Sequence, residues 1–171
     1  KVAAHQKKFY DEIFFPYLKE HNIKEVIDLG DTFDRRKYIS FTSLKAAKAM
    51  FFDPLARNNI QTHVLIGNHD TVYKNTNELN SVYLLCQEYN NIWEYNTPHQ
   101  QQFPGCDILM LPWICLDNQQ ETFDMIEKTN AQVVMSHLEL KGFQMNKGHI
   151  QQEGMDHKLF NKFVDLFNNI L

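Results

Sequence analysis

The stretches Val26-Ile27-Asp28-Leu29-Gly30-Asp31-Thr32-Phe33-Asp34 and His63-Val64-Leu65-Ile66-Gly67-Asn68-His69-Asp70 share one design. Each is a short apolar run with β-branched residues, a glycine, and then polar residues able to bind a cation or a phosphate. The length and composition of the runs predict buried strands. Gly30 and Gly67 let the chain leave a sheet sharply. A third apolar segment, Gln132–Met135, ends in Ser136-His137. Ligands of open α/β sheets bind beyond the carboxyl ends of the strands, so three such ends can converge although they lie far apart in sequence.

Helical periodicity fills the intervals. Phe9, Ile13, Phe14, Tyr17 and Leu18 predict an amphipathic helix over roughly the first twenty residues, closed by His21-Asn22. A second helix carries Leu44, Ala47, Met50, Phe51 and Leu55, with Thr42 or Ser43 as its cap and Asn58-Asn59 as its end. Further helices are predicted over Glu78–Tyr89, Gln119–Lys128 and Asp156–Leu171, and a further strand over Asp107–Leu111. The 96–105 and 141–154 stretches, rich in amides, read as loops. Alternation of this kind predicts an α/β domain with a largely parallel sheet.

Composition narrows the possibilities. The 171 residues are 43% hydrophobic and 13% aromatic, which suits a packed core rather than disorder. No apolar run reaches the ~20 residues of a membrane span, and Lys1–Tyr10 does not read as a signal peptide. Three cysteines without a CxxC pair predict a reduced, cytosolic setting and no zinc knuckle. The net charge of −4 argues against DNA affinity from bulk charge alone. The one dense basic run, Arg35-Arg36-Lys37, reads on its own as a solvated turn.

Taken singly, a Gly-Asp, an Asn-His or a strand-end histidine is ordinary turn chemistry. Together they supply carboxylate oxygen, amide oxygen and imidazole nitrogen. That set suits manganese, iron, zinc or magnesium and argues against a soft thiolate site. Two such ions ~3.5–4 Å apart can hold a phosphate and activate water, and Asp31 is placed to bridge them.

GDxxD in Gly30–Asp34, GNHD in Gly67–Asp70, ILMLPW in Ile108–Trp113 and His137 within VVMSHLEL resemble the calcineurin-like metallophosphoesterases. GNHD rather than GNHE resembles their nuclease branch, the SbcD-type and T-even-like phage recombination nuclease subunits. The resemblance implies a layered α-β-β-α sandwich and two divalent metals, manganese first among them. It implies that Asp31 bridges the metals and that Asn68 and His137 bind the second. It further implies that His69 faces the substrate phosphate, steadying it or protonating the leaving oxygen, with the Asp34 carboxylate orienting it. Arg35 matches a phosphate-contacting arginine of the protein-phosphatase branch.

A DNA substrate, a homodimer, an SMC-like ATPase partner and, for a phage protein, the host cytoplasm follow as expectations. The helices around Leu44–Leu55 and Leu79–Tyr89 are candidate dimer surfaces, although for most of those residues the better reading is that the apolar faces simply cover the sheet. The family's initial DxH strand and late GHxH are not found: the chain starts at Lys1 inside the following helix, and Gly148-His149-Ile150-Gln151 breaks the late motif. His157, on the last helix, reads as structural or exposed. Residues 1–171 therefore read as one metallophosphoesterase domain lacking those two segments. A phosphomonoesterase, suggested by GDTFDRR, and a non-catalytic assembly fragment are the competing readings.

Overall fold

A computed structural model describes residues 2–146, 148–161 and 163. Two helical stretches are each interrupted by a π turn, and each π turn lies just before a proline. Helix α1 (Val2–Phe9) passes through a π turn (Tyr10–Phe14) into α2 (Phe15–Glu20), which holds Pro16. Likewise α3 (Phe41–Ala47) passes through a π turn (Lys48–Phe52) into α4 (Asp53–Arg57), which holds Pro54. Proline lacks an N–H and crowds the carbonyl four residues back. Widening the turn relieves that clash: the N–H groups of Phe15 and Asp53 reach back five residues, to the oxygens of Tyr10 and Lys48.

Both helical stretches end at left-handed asparagines, Asn22 (φ 51°) and Asn59 (φ 53°). The cap of α3 is Ser40, not Thr42 or Ser43: its Oγ accepts the Ser43 N–H at 3.0 Å. Helix α5 (Ser81–Cys86) is shorter than predicted, because Asn80 caps it, whereas α6 (Gln119–Lys128) has the predicted bounds. Of the predicted last helix, His157–Phe160 is a 3-10 turn with His157 exposed, and most of the remainder lies outside the described residues.

The strands form two three-stranded sheets rather than one. Strands β1 (Glu25–Asp28), β2 (Gln61–Leu65) and β3 (Ile92–Tyr95) pair in that order, all parallel. Strand β4 (His99–Phe103) pairs antiparallel with β5 (Cys106–Leu111), which pairs parallel with β6 (Val133–Ser136). Alternation along β2 and β5 sorts the side chains into layers. Val64 and Ile66 pack with Phe52, Val82 and Cys86 beneath the α3–α5 helices. Leu65 meets Tyr95, Ile108 and Met110 between the sheets. Leu109 and Leu111 meet Ile126 of α6 and Phe160 on the far side. The result is the expected α-β-β-α sandwich.

The two amide-rich stretches are not plain loops. One contains β4, and the other contains the hairpin β7 (Gln144–Asn146) and β8 (His149–Ile150). A strand such as HQQQF has almost no apolar signal. Main-chain pairing with β5 holds it, which composition does not report.

His63 is a buried polar residue between the sheets, 6% exposed. Its Nε2 lies 3.4 Å from Glu25 Oε2 and its Nδ1 lies 2.8 Å from the Tyr95 hydroxyl. That hydroxyl donates to Gln101 Oε1 at 3.1 Å, so it accepts from His63 Nδ1–H. Phe103 packs edge-on against the imidazole. Burial holds His63 below its ordinary pKa, with Glu25 opposing. The unfolded chain therefore takes up the proton more readily than the folded one. Stability from this residue is intact above about pH 6.5 and is lost as pH falls below it. Urea midpoints at pH 7.0 and 5.0 check this: His63→Phe should show a smaller drop than wild type.

Candidate metal centre

Strand β1 leaves the sheet through two consecutive left-handed residues, Gly30 (φ 97°) and Asp31 (φ 55°). Asp28 shapes this turn by accepting the Gly30 N–H at 3.0 Å. The turn backs directly onto the exit of β2. A Cβ on Gly30 would lie 2.8 Å from the Gly67 nitrogen, and a Cβ on Gly67 would lie 2.4 Å from both the nitrogen and Oδ1 of Asp31. Both glycines are therefore required by contact between the loops.

Asp70 joins the two loops. It is fully buried, at 0% exposure. Its Oδ2 accepts the N–H groups of Asp31 (2.8 Å) and Gly67 (2.9 Å). Its Oδ1 accepts the Phe33 N–H (3.2 Å) and the Ser81 hydroxyl (3.4 Å). Burial raises the Asp70 carboxyl above its ordinary range, and the three main-chain N–H groups pull it partly back. Sequence reasoning gave this last residue of GNHD no role. Its place directly after Asn68 and His69 was the available signal.

The donors expected from sequence converge. His137 Nε2 lies 3.2 Å from Asn68 Oδ1 and 3.5 Å from Asp31 Oδ1. His137 Nδ1 lies 2.9 Å from the Leu29 carbonyl oxygen, which can only accept, so Nδ1 carries the proton and donates. Nε2 then faces the two oxygens with its lone pair, the tautomer of a metal-binding histidine. Three electron-pair donors aimed at one another are reconciled by a cation, and the O, O, N set fits a divalent ion. Among the described residues no group of three or more His, Cys, Asp or Glu gathers to hold a metal, here or elsewhere; this set is one carboxylate, one imidazole and the Asn68 amide.

Glu139, two residues past His137, was missed by sequence reasoning. The Asn68 Nδ2 amide donates to Glu139 Oε1 at 3.2 Å. This contact turns the Asn68 oxygen toward His137 rather than away. Outer partners of metal ligands contribute about 10- to 100-fold in affinity. Glu139→Ala should weaken manganese binding by about that factor, measured by calorimetry; an unchanged affinity would refute the orienting role.

His69 sits against Asp31, donating its main-chain N–H to Asp31 Oδ1 at 2.8 Å. Its ring is held by Asp34, but not through the carboxylate. His69 Nδ1 donates to the Asp34 main-chain oxygen at 2.9 Å, and Nε2 is left to act. The Asp70 clasp holds Phe33, the residue just before Asp34. Arg35 is exposed. Arg36 departs from the solvated turn that the basic run implied: its Nη1 donates to Thr71 Oγ1 at 3.1 Å, and its guanidinium lies 5.0 Å from the Trp113 ring centre.

Two sheets back to back, helices outside, and hard-to-borderline donors at the carboxyl ends of β1, β2 and β6 define a phosphoesterase-type sandwich. The description "Calcineurin-like phosphoesterase" matches residues 4–167, and the chain belongs to that family, whose members use divalent metals. It is 31% identical over 152 residues to Exonuclease subunit 1 of Enterobacteria phage T4. The match covers 89% of this chain and 44% of the phage protein, so the chain spans less than half the length of that relative. No described helix is long and apolar enough to cross a membrane.

Proposed function

We propose that this chain is the catalytic portion of a metal-dependent DNA nuclease that hydrolyses phosphodiester bonds at DNA ends. The observation that carries the reading is the convergence of Asp31, Asn68 and His137 from three strands, with His69 set beside Asp31. Similarity to a phage exonuclease subunit supplies the substrate class. Asp31, Asn68 and His137 would hold the metal, with Asp31 shared between two ions and Asn68 and His137 serving the second. Two divalent ions, manganese first among the candidates, would polarise the phosphate and lower the pKa of a bound water.

The protein's own part is positional. The Asp70 clasp and the two glycines hold Asp31 at the junction of two loops. His69, its Nδ1–H committed to the Asp34 oxygen, presents Nε2 toward the phosphate. There it steadies charge on a non-bridging oxygen or, when protonated, delivers a proton to the leaving oxygen.

The reading extends to a homodimer with an SMC-like ATPase partner, working in the host cytoplasm. Of the two helical regions considered for dimer contact, α5 offers Tyr83 and Leu84 to solvent, whereas Phe52 and Leu55 are spent on the core. The test compares cleavage of a DNA duplex and of a phosphopeptide, each with manganese. DNA cleavage is expected; phosphopeptide turnover without DNA cleavage would sink the proposal.

A further inference from the structure

We propose that the cleft between the β1 exit and the start of α3 is a subsite for one unpaired nucleotide of the bound strand, adjoining the scissile phosphate. Arg35 holds the neighbouring phosphate and Tyr38 stacks on the base. The inference rests on the nuclease reading and names the form of DNA that the site takes.

The cleft has a volume of about 470 Å³, and its lining includes Asp34, Arg35, Tyr38 and Ser40. It shares Asp34 with the candidate active site, where the carbonyl of that residue holds the His69 ring. A strand with its phosphate at His69 therefore has the cleft beside it, across Asp34.

The lining has the chemistry that a nucleotide needs. Tyr38 is 76% exposed, and three residues on Phe41 is 90% exposed, so neither ring serves the core. Aromatic faces left in solvent beside cations are stacking platforms for single strands. The local charge fits: the whole chain carries −4, yet residues 35–48 hold five cations and no carboxylate. Within that run Lys48 is paired with Glu88, and Arg36 is committed to Thr71 and Trp113. Arg35 and Lys37 have no ion-pair partner among the described residues, and both face solvent.

The walls are pinned before any ligand arrives. Asp70 holds the Phe33 N–H, Arg36 is tied to the loop after GNHD, and the Ser40 cap fixes the start of α3. Little ordering of the cleft's backbone is left to oppose binding. A base inside a duplex has both faces covered, so the Tyr38 ring takes an unpaired base in preference to one inside a duplex.

The test uses the full-length protein with manganese and single-stranded oligonucleotides in which one abasic site is scanned along the strand. In wild type, the abasic site next to the cleaved phosphate should weaken binding about ten-fold, and other positions little. Tyr38→Leu should bind the intact strand about ten-fold less tightly and lose the abasic effect, while Tyr38→Phe keeps it. Arg35→Gln should keep the abasic effect and lower the salt slope of binding by about one. An abasic penalty that is absent in wild type, or equal in Tyr38→Leu and wild type, overturns the subsite. Wild-type protein that neither binds nor cuts any strand overturns the nuclease reading itself, and this subsite with it.

Discussion

Asp31→Ala should abolish cleavage and metal binding together, whereas His69→Ala should abolish cleavage and leave metal binding in place. The difference follows from what each side chain touches. Asp31 Oδ1 faces His137 Nε2 at 3.5 Å and also accepts the His69 N–H at 2.8 Å. Its loss removes the one carboxylate from the converging donor set and frees the loop that carries His69. The rate should fall by about 10³-fold or more, as for other groups on which a whole constellation depends.

In the proposed reaction His69 offers a ring nitrogen to the phosphate, and in the structure it touches the other donors only through its main chain. Its replacement should cost about 10²- to 10⁴-fold in kcat, the range of a proton donor or a charge-stabilising contact. Single-turnover cleavage measured alongside manganese calorimetry separates the two variants. A near-wild-type rate in either one refutes its role, and loss of metal in His69→Ala refutes the division of labour.

Asp70→Ala should cost about 3–5 kcal/mol of folding stability, the largest effect of any single substitution considered. The carboxylate is wholly buried and accepts main-chain N–H groups from Asp31, Gly67 and Phe33. Removing it leaves those donors with no acceptor from residue 70, and each buried orphan costs about 1–3 kcal/mol. Partial relaxation of the loops keeps the sum below the additive limit. Asp70→Asn should recover little, because its one carbonyl oxygen cannot serve both loops while its NH₂ faces N–H donors. Urea unfolding reads the result, and a loss below about 0.5 kcal/mol would show that the clasp is dispensable. Activity should fall in both variants, since the same bonds set the height of Asp31 over Gly67.

Local rules accounted for much of the fold. The asparagine stops at residues 22 and 59, the glycine exits at 30 and 67, and the bounds of α6 depend on neighbours within a turn of the chain. The apolar runs identified β1, β2, β5 and β6 because buried strands must be apolar. The same signal failed for β4, whose glutamines pair by main chain at an edge. It also could not show that six strands divide into two sheets. That division depends on which faces of Leu65, Tyr95, Ile108 and Met110 meet, and each strand alone is silent about its partner.

The candidate site divides along the same line. Asp31, Asn68, His69 and His137 were readable because they occur together, in order and each just past an apolar strand, although each alone is ordinary turn chemistry. Asp70, Glu139 and the Arg36–Trp113 contact were not. Nor was the use of Asp34 by its carbonyl rather than its carboxylate, since a main-chain oxygen has no letter of its own. The sequence by itself determined the kinds of donor and the strand ends that carry them, because burial and turn geometry act over a few residues. Only the tertiary structure decided which loops touch, which tautomer each histidine holds and which face of Asn68 is presented. Those choices are hydrogen bonds between residues up to 108 positions apart, as with His137 and Leu29, and they exist only once the two sheets are packed.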